Sequence, residues 1–163
     1  MILTRSFPPM SVAMVALIVS APACRAGDDE NKTIEVRVVE VLASSKNNQV
    51  DKKLECLAKE VQKIEPSLTG FRLKRCTLKE LRIGDKVTVP LVEDESIEIS
   101  IQGSHQDGPG NKDRVQLTVK PPTLGKIVYA SCCSKYFPIV TRYETKDKER
   151  LILAICVHCC DKK

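Results

Sequence analysis

Only one stretch of this 163-residue chain carries a helical period, and that constrains the fold more than any other feature. Val50, Leu54, Leu57, Val61 and Ile64 recur at steps of 4, 3, 4 and 3, which aligns them along one side of an α-helix. Asp51 stands where an N-cap belongs, and Pro66 follows where the helix must stop. Cys56 falls off the stripe, on the helix flank. Nearly everything after Gly70 alternates instead. Val87, Val89 and Leu91, then Ile97, Ile99 and Ile101, then Val115, Leu117 and Val119 are each separated by single residues, most of them polar. A period of two marks strands with one face buried and one face wet.

The remaining segments complete a β-rich order. Residues 33–42 are rich in Val and Ile, and the adjacent Val38-Val39 breaks their alternation, the mark of a strand partly covered on both faces. Residues 71–81 read as a strand of mixed pattern, closed by a turn at Gly84-Asp85. A loop over 103–113 carries Gly108-Pro109-Gly110, and Pro121-Pro122 stops the strand that follows. Strands over 127–130, 139–143 and 150–159 end the chain, the last two joined by a charged turn from Thr145 to Lys148. With one candidate crossover helix, the order predicts an α+β fold, a largely antiparallel sheet or meander with the amphipathic helix packed on one face. The alternative is a β-sandwich with a helical insertion. In either case Leu54, Leu57, Val61 and Ile64 are expected to pack on the stripes of Ile97, Ile99, Ile101, Val115, Leu117 and Val119.

The N-terminus reads as an export signal. Arg5 precedes an apolar run from Val12 to Val19 and then Ala21-Pro22-Ala23. That is a charged start, an apolar stretch too short to span a bilayer, and an A-x-A cleavage site. Residues 1–23 are therefore expected to be a signal peptide, 24–32 a flexible linker and 33–163 a single domain, placing the protein in the periplasm or outside the cell. Cleavage near Ala23 or Ala26 is one route. Lipidation of Cys24, which follows Ala23 as in a bacterial lipobox, is the other, although Ala21 stands where that motif has Leu.

Charge and aromatic content exclude several functions. Removing residues 1–23 takes away Arg5 alone, so 26 basic residues become 25 against 21 acidic, net +4. The charges alternate in sign, as in Lys74-Arg75 followed by Lys79-Glu80 and Arg82, and no nucleic-acid partner is expected of such a surface. No Trp and 4% aromatic residues leave little for base-stacking or sugar-binding platforms. Glu93-Asp94-Glu95 reads as a solvated turn, without the spacing of a calcium loop. His105 sits in a polar loop. The chain has no G-x-S-x-G, no H-E-x-x-H and no phosphate-binding loop.

Two segments carry a resemblance. The run Val61-Gln62-Lys63-Ile64-Glu65-Pro66-Ser67-Leu68-Thr69-Gly70-Phe71-Arg72-Leu73 and the hairpin from Tyr136-Phe137-Pro138-Ile139-Val140 to Leu151-Ile152-Leu153-Ala154-Ile155 are similar to parts of short exported bacterial single-domain proteins of unassigned function. The similarity lies in the order helix, Phe-Arg-Leu strand, meander and hydrophobic last strand. It implies export and a single domain, and it carries no catalytic motif.

The 8 cysteines are the remaining chemistry. They are Cys24, Cys56, Cys76, Cys132, Cys133, Cys156, Cys159 and Cys160. In an exported chain disulfides are the default. Placing Lys146-Asp147 at the centre of the last turn sets Tyr143 opposite Arg150, Phe137 opposite Cys156 and Cys133 opposite Cys160. Opposed residues of that kind have Cα atoms ~4.5–5.5 Å apart, within disulfide reach. A bulge at Pro138 would move the pairing to Cys132 or Cys159. The competing reading is a metal centre, with Cys132, Cys133, Cys156, His158, Cys159 and Cys160 as thiolate and imidazole ligands suited to zinc or copper. Along a strand, Cys156, His158 and Cys160 share one face and Cys159 points to the other. Thiol redox catalysis at Cys156-x-x-Cys159 is disfavoured, because the few residues after Cys159 leave no room for the helix that lowers such a thiol's pKa.

Together these readings point to an exported, non-enzymatic binding or structural module of the cell envelope, with no cofactor, whose partner is an envelope protein or a ligand. Membrane contact would come only through a lipid on Cys24. The alternative is an envelope zinc- or copper-binding protein built on the C-terminal Cys/His cluster.

Overall fold

The computed structural model describes residues 33–105, 114–132 and 135–159. Eight strands run in the order β1 (Ile34–Ser44), β2 (Gly70–Leu81), β3 (Lys86–Pro90), β4 (Ser96–His105), β5 (Arg114–Lys120), β6 (Ile127–Cys132), β7 (Tyr136–Glu144) and β8 (Arg150–Cys159). One helix, α1 (Glu55–Ile64), follows a single 3-10 turn, Lys52–Leu54. The expectation of antiparallel sheet with one short helix therefore holds. The strands are divided between two four-stranded sheets, β2-β1-β8-β7 and β3-β4-β5-β6, every neighbouring pair antiparallel.

The sheets face each other. Ile34, Val36, Val38, Leu151, Leu153, Ile155 and Val157 of the first sheet share one core with Val89, Ile97, Ile99, Ile101, Val115, Leu117 and Val119 of the second. Along β4 the outward positions are Glu98 and Ser100, and Glu98 bonds Lys86 at 2.5 Å and Lys120 at 3.0 Å on a wet face. The first sheet is different. Val39, Val41, Ala43, Ile152 and Ala154 point away from the sandwich into a second cluster with Leu54, Ala58, Val61, Leu68 and Phe71. This is the two-sided burial that Val38-Val39 announces.

The helix therefore packs on the back of the first sheet, and the expected contact with Ile97, Ile99, Ile101, Val115, Leu117 and Val119 does not form. Those residues are used up facing the first sheet across the sandwich. The buried line of the helix is also rotated, running through Leu54, Ala58 and Val61. Small Ala58 lets the helix approach the sheet, Leu57 is only partly buried, and Ile64 is 65% exposed at the last helical residue. Leu68 folds back to cover the ground assigned to Ile64, with Leu68 N–H donating to Glu65 O at 3.2 Å and Gln62 Nε2 donating to Leu68 O at 3.1 Å. Asp51 does precede the helical segment, but its Oδ2 accepts the Leu73 N–H at 2.6 Å and caps nothing.

A register break in β2 sets which side chains face each way. Glu40 pairs with Arg75 and Val41 with Leu73, so β2 carries an extra residue at Lys74. Such a bulge re-aims side chains. Leu73 and Cys76 both stay on the helix side, while Arg75 is placed opposite Glu40. Glu40 is fully buried on the sandwich side of β1, and Arg75 Nε donates to its Oε1 at 2.6 Å. Arg75 also donates to the carbonyl of Pro90 in the second sheet. That arginine ties the two sheets at the β2/β3 edge. At the other edge Tyr129 of β6 stacks on Phe137 of β7, ring centroids 4.1 Å apart and planes inclined by 17°.

The β7–β8 hairpin corrects the expected register. Thr145 N–H donates to Glu149 O at 2.9 Å, and Lys148 adopts φ 59, so the loop has three residues with a left-handed third, a standard hairpin solution. A bulge then separates Glu144↔Arg150 from Val140↔Ile152. Thr141 Oγ1 donates to Leu151 O at 2.7 Å within it, filling a gap in the ladder. As a result Tyr136, and not Phe137, lies opposite Cys156, and Pro138 sits undisturbed on an edge strand opposite Ala154.

Candidate functional site

The helix roofs only part of the outer face of the first sheet. Beyond its N-terminal half lies an open groove of about 870 Å³. The register explains its floor. Cys76, Val39, Ala154 and Pro138 form one row across β2, β1, β8 and β7, and Arg37 and Tyr136 lie in the next row. Leu54, Leu57, Cys56, Lys53 and Glu60 form the helical wall, and Leu73 of β2 and Lys135, just before β7, contribute at the two edges of the sheet. The middle of the floor is apolar because these are the positions that would lie beneath a longer helix. It is open because the helical segment starts only at Lys52.

The groove is cationic at its rim. Arg37, Lys53 and Lys135 face a single acid, Glu60, and Lys63 Nζ already neutralises that acid at 2.6 Å. Arg37 NH2 donates to Glu35 at 3.2 Å. The hydrogen bond to the Tyr136 hydroxyl, and then the nearby Tyr136 and Glu35 charges, raise the Arg37 pKa above its ordinary value, against a smaller cost of desolvation. Among the described residues Lys53 and Lys135 make no ion pair, and both are exposed. Two exposed free thiols, Cys56 and Cys76, flank the same groove. Its chemistry is therefore an apolar bed with uncommitted positive charge and two thiols along its sides.

The cysteine cluster read from the sequence is only partly within view. Cys24, Cys133 and Cys160 lie outside the described residues, so the Cys133–Cys160 pairing does too. Cys132 ends β6 in the second sheet, paired with Arg114, whereas Cys159 lies in the first sheet opposite Ile34. The chain passes from one sheet to the other between Cys132 and Tyr136. Cys156 and His158 share the outer face of β8, as the strand period requires, with Sγ and Nε2 3.5 Å apart. Among the described residues no three His, Cys, Asp or Glu side chains come together as a metal site.

No protein-family model, curated protein or solved structure matches the chain.

One acid expected in a solvated turn is engaged. Glu93, held at φ 50, accepts the Tyr143 hydroxyl at 2.8 Å and the Lys146 N–H at 3.1 Å. The Lys146 backbone N–H and then the Tyr143 hydrogen bond hold its pKa below the ordinary carboxylate range. The same contact pushes the Tyr143 phenol up to about 12. These residues fasten the second sheet's Val92–Asp94 turn to the β7–β8 hairpin and stand apart from the groove.

The helical stripe places Leu54 and Leu57 in the core and the cysteine count includes Cys76, but no sequence pattern singles out Arg37, Lys53, Lys135 or Tyr136 for a site. They are spread over 100 residues of chain, from Arg37 to Tyr136, and only strand register brings them together. The available signals were Val38-Val39, which marks a second covered face, and Cys56, off the helical stripe.

Proposed function

We propose that this protein is an exported, non-enzymatic binding module of the cell envelope, and that the groove between α1 and the first sheet holds its ligand. One observation carries the reading: an apolar strand floor left open beside the helix, in a volume of about 870 Å³, within the size range of small-molecule pockets. In fold terms the domain is best classed as α+β, because the single helix packed on one sheet face builds the site wall. The short apolar run before Ala21-Pro22-Ala23 supports export.

The uncharged fluorescent probe N-phenylnaphthylamine tests the groove. One saturable site per chain is expected. Cys76→Trp, which fills the groove from the exposed outer face of β2, should abolish it while leaving the thermal midpoint within a few degrees. Probe binding unchanged in C76W, or no saturable binding in the folded protein, would overturn the reading. N-terminal sequencing tests export separately: a mature chain beginning between Cys24 and Gly27 supports it, and a retained Met1 contradicts it.

A second reading, zinc or copper held at the C-terminal cluster, is favoured by the Cys156 and His158 contact at 3.5 Å. Native mass measurement with and without a chelator checks it. A bound ion lost on chelation supports a metal site, and an unchanged mass speaks against one.

A further inference from the structure

We infer that the groove selects a free single-chain amphiphile with an acidic head group, such as a medium-chain carboxylate, its tail on the strand floor and its head at Lys53 and Lys135. The inference rests on the binding reading above and adds the ligand's chemistry. Two features decide it. The middle of the floor offers Val39, Ala154 and Pro138, with Leu57 on the wall beside them, an apolar contact surface without hydrogen-bonding side chains. The rim offers two exposed ammonium groups that make no ion pair among the described residues, while the groove's one carboxylate is held by Lys63 at 2.6 Å. An apolar tail desolvates the floor, with a return proportional to the area covered. A negative head group then meets uncompensated positive charge, which favours anions over cations and neutral chains of equal length. Ammonium groups on flexible stems suit a compact anionic head of no fixed orientation. An acidic peptide added as a strand is less well served: the edge strand β2 carries the Lys74 bulge and the other edge strand, β7, carries Pro138, both of which interrupt the ladder an added strand needs.

Competition against N-phenylnaphthylamine tests this with three probes of matched chain length: dodecanoate, dodecyltrimethylammonium and dodecanol. Dodecanoate should displace the probe at least tenfold more effectively than either of the others, with one chain bound per protein by native mass measurement. The double variant K53Q/K135Q should bind dodecanoate roughly tenfold more weakly, the scale expected for two exposed charge contacts. Its affinity for dodecanol should stay within about twofold, and its melting midpoint should be unchanged. Raising salt should narrow the preference for dodecanoate in the natural protein.

Equal displacement by all three amphiphiles would overturn the inference while leaving the groove a binding site. So would dodecanoate affinity indifferent to K53Q/K135Q, or probe displacement only by a second copy of the chain, seen as dimer formation. Failure of N-phenylnaphthylamine itself to bind the groove would remove the underlying reading instead, so the two failures are distinguishable.

Discussion

The two faces of the first sheet are made from the same strands and finished differently. On the inner face Leu151, Leu153, Ile155 and Val157 of β8 meet a complete opposing sheet and are fully buried. On the outer face Ile152 is covered by the helix, while Ala154, two residues on and also buried, lies at the floor of an open groove whose lining includes the exposed Leu73, Cys76 and Tyr136. A sheet roof extends as far as its strands do, but a ten-residue helix is only about 15 Å long and roofs only part of the sheet's outer face. The inner face holds the fold together and the outer one presents apolar surface beside charge, the combination that recognition needs.

Substitutions can break or sharpen that contrast. The largest effect belongs on the inner face. Leu153→Ala should cost ~2–5 kcal/mol in denaturant unfolding, because a fully buried leucine leaves a cavity between two sheets that cannot close over it. A loss below about 1 kcal/mol would mean that the sandwich core is loose. Next comes the ionic tie between the sheets. Arg75→Met should cost about 3 kcal/mol, the low end for removing one partner of a buried pair, since Arg75 is itself 44% exposed. Adding Glu40→Leu should restore most of it; a double variant as unstable as R75M would show that the arginine acts by packing.

On the outer face the two halves separate. Val61→Ala, beneath the roof and fully buried, should cost about 2 kcal/mol. Leu57→Ala, on the groove wall, should cost under about 1 kcal/mol and weaken N-phenylnaphthylamine binding instead. Equal losses of stability would erase the distinction between roofed and open surface. The smallest effect lies at the exposed Glu93 contact. A raised phenol pKa adds stability that is complete below about pH 10 and is lost as pH rises through about 12. Glu93→Gln should bring the Tyr143 transition back toward about 10 in an ultraviolet titration. An unmoved transition would contradict the assignment.

Much of the fold could be read before the structure. The triplet Ile97, Ile99, Ile101 names its strand and its buried face, and the final strand from Arg150 to Cys159 falls where the pattern puts it. Period two says which face is buried but not what buries it, so it could not tell a helix from a second sheet opposite Ile99. The helical stripe has the same limit: it predicts Ile64 inside, yet the backbone turns at Glu65 and Leu68 takes the place. The hairpin register depends on a positive φ at Lys148 and a bulge near Thr141, neither at a glycine that would signal it. The groove was the least legible. It has no motif, and its lining depends on the Lys74 bulge, which keeps both Leu73 and Cys76 on the helix side.

The central claim is that the open part of the outer face is the working surface, and the two thiols that flank it report on this directly. Alkylation rates follow exposure and thiolate content, and Cys56 and Cys76 are exposed whereas Cys156 is buried. Peptide-resolved alkylation of the reduced protein should show Cys56 and Cys76 reacting readily without ligand and slowing together, by about tenfold, when N-phenylnaphthylamine saturates its site, with Cys156 slow throughout. Unchanged rates at both thiols while the probe is bound would place the ligand elsewhere and contradict the account.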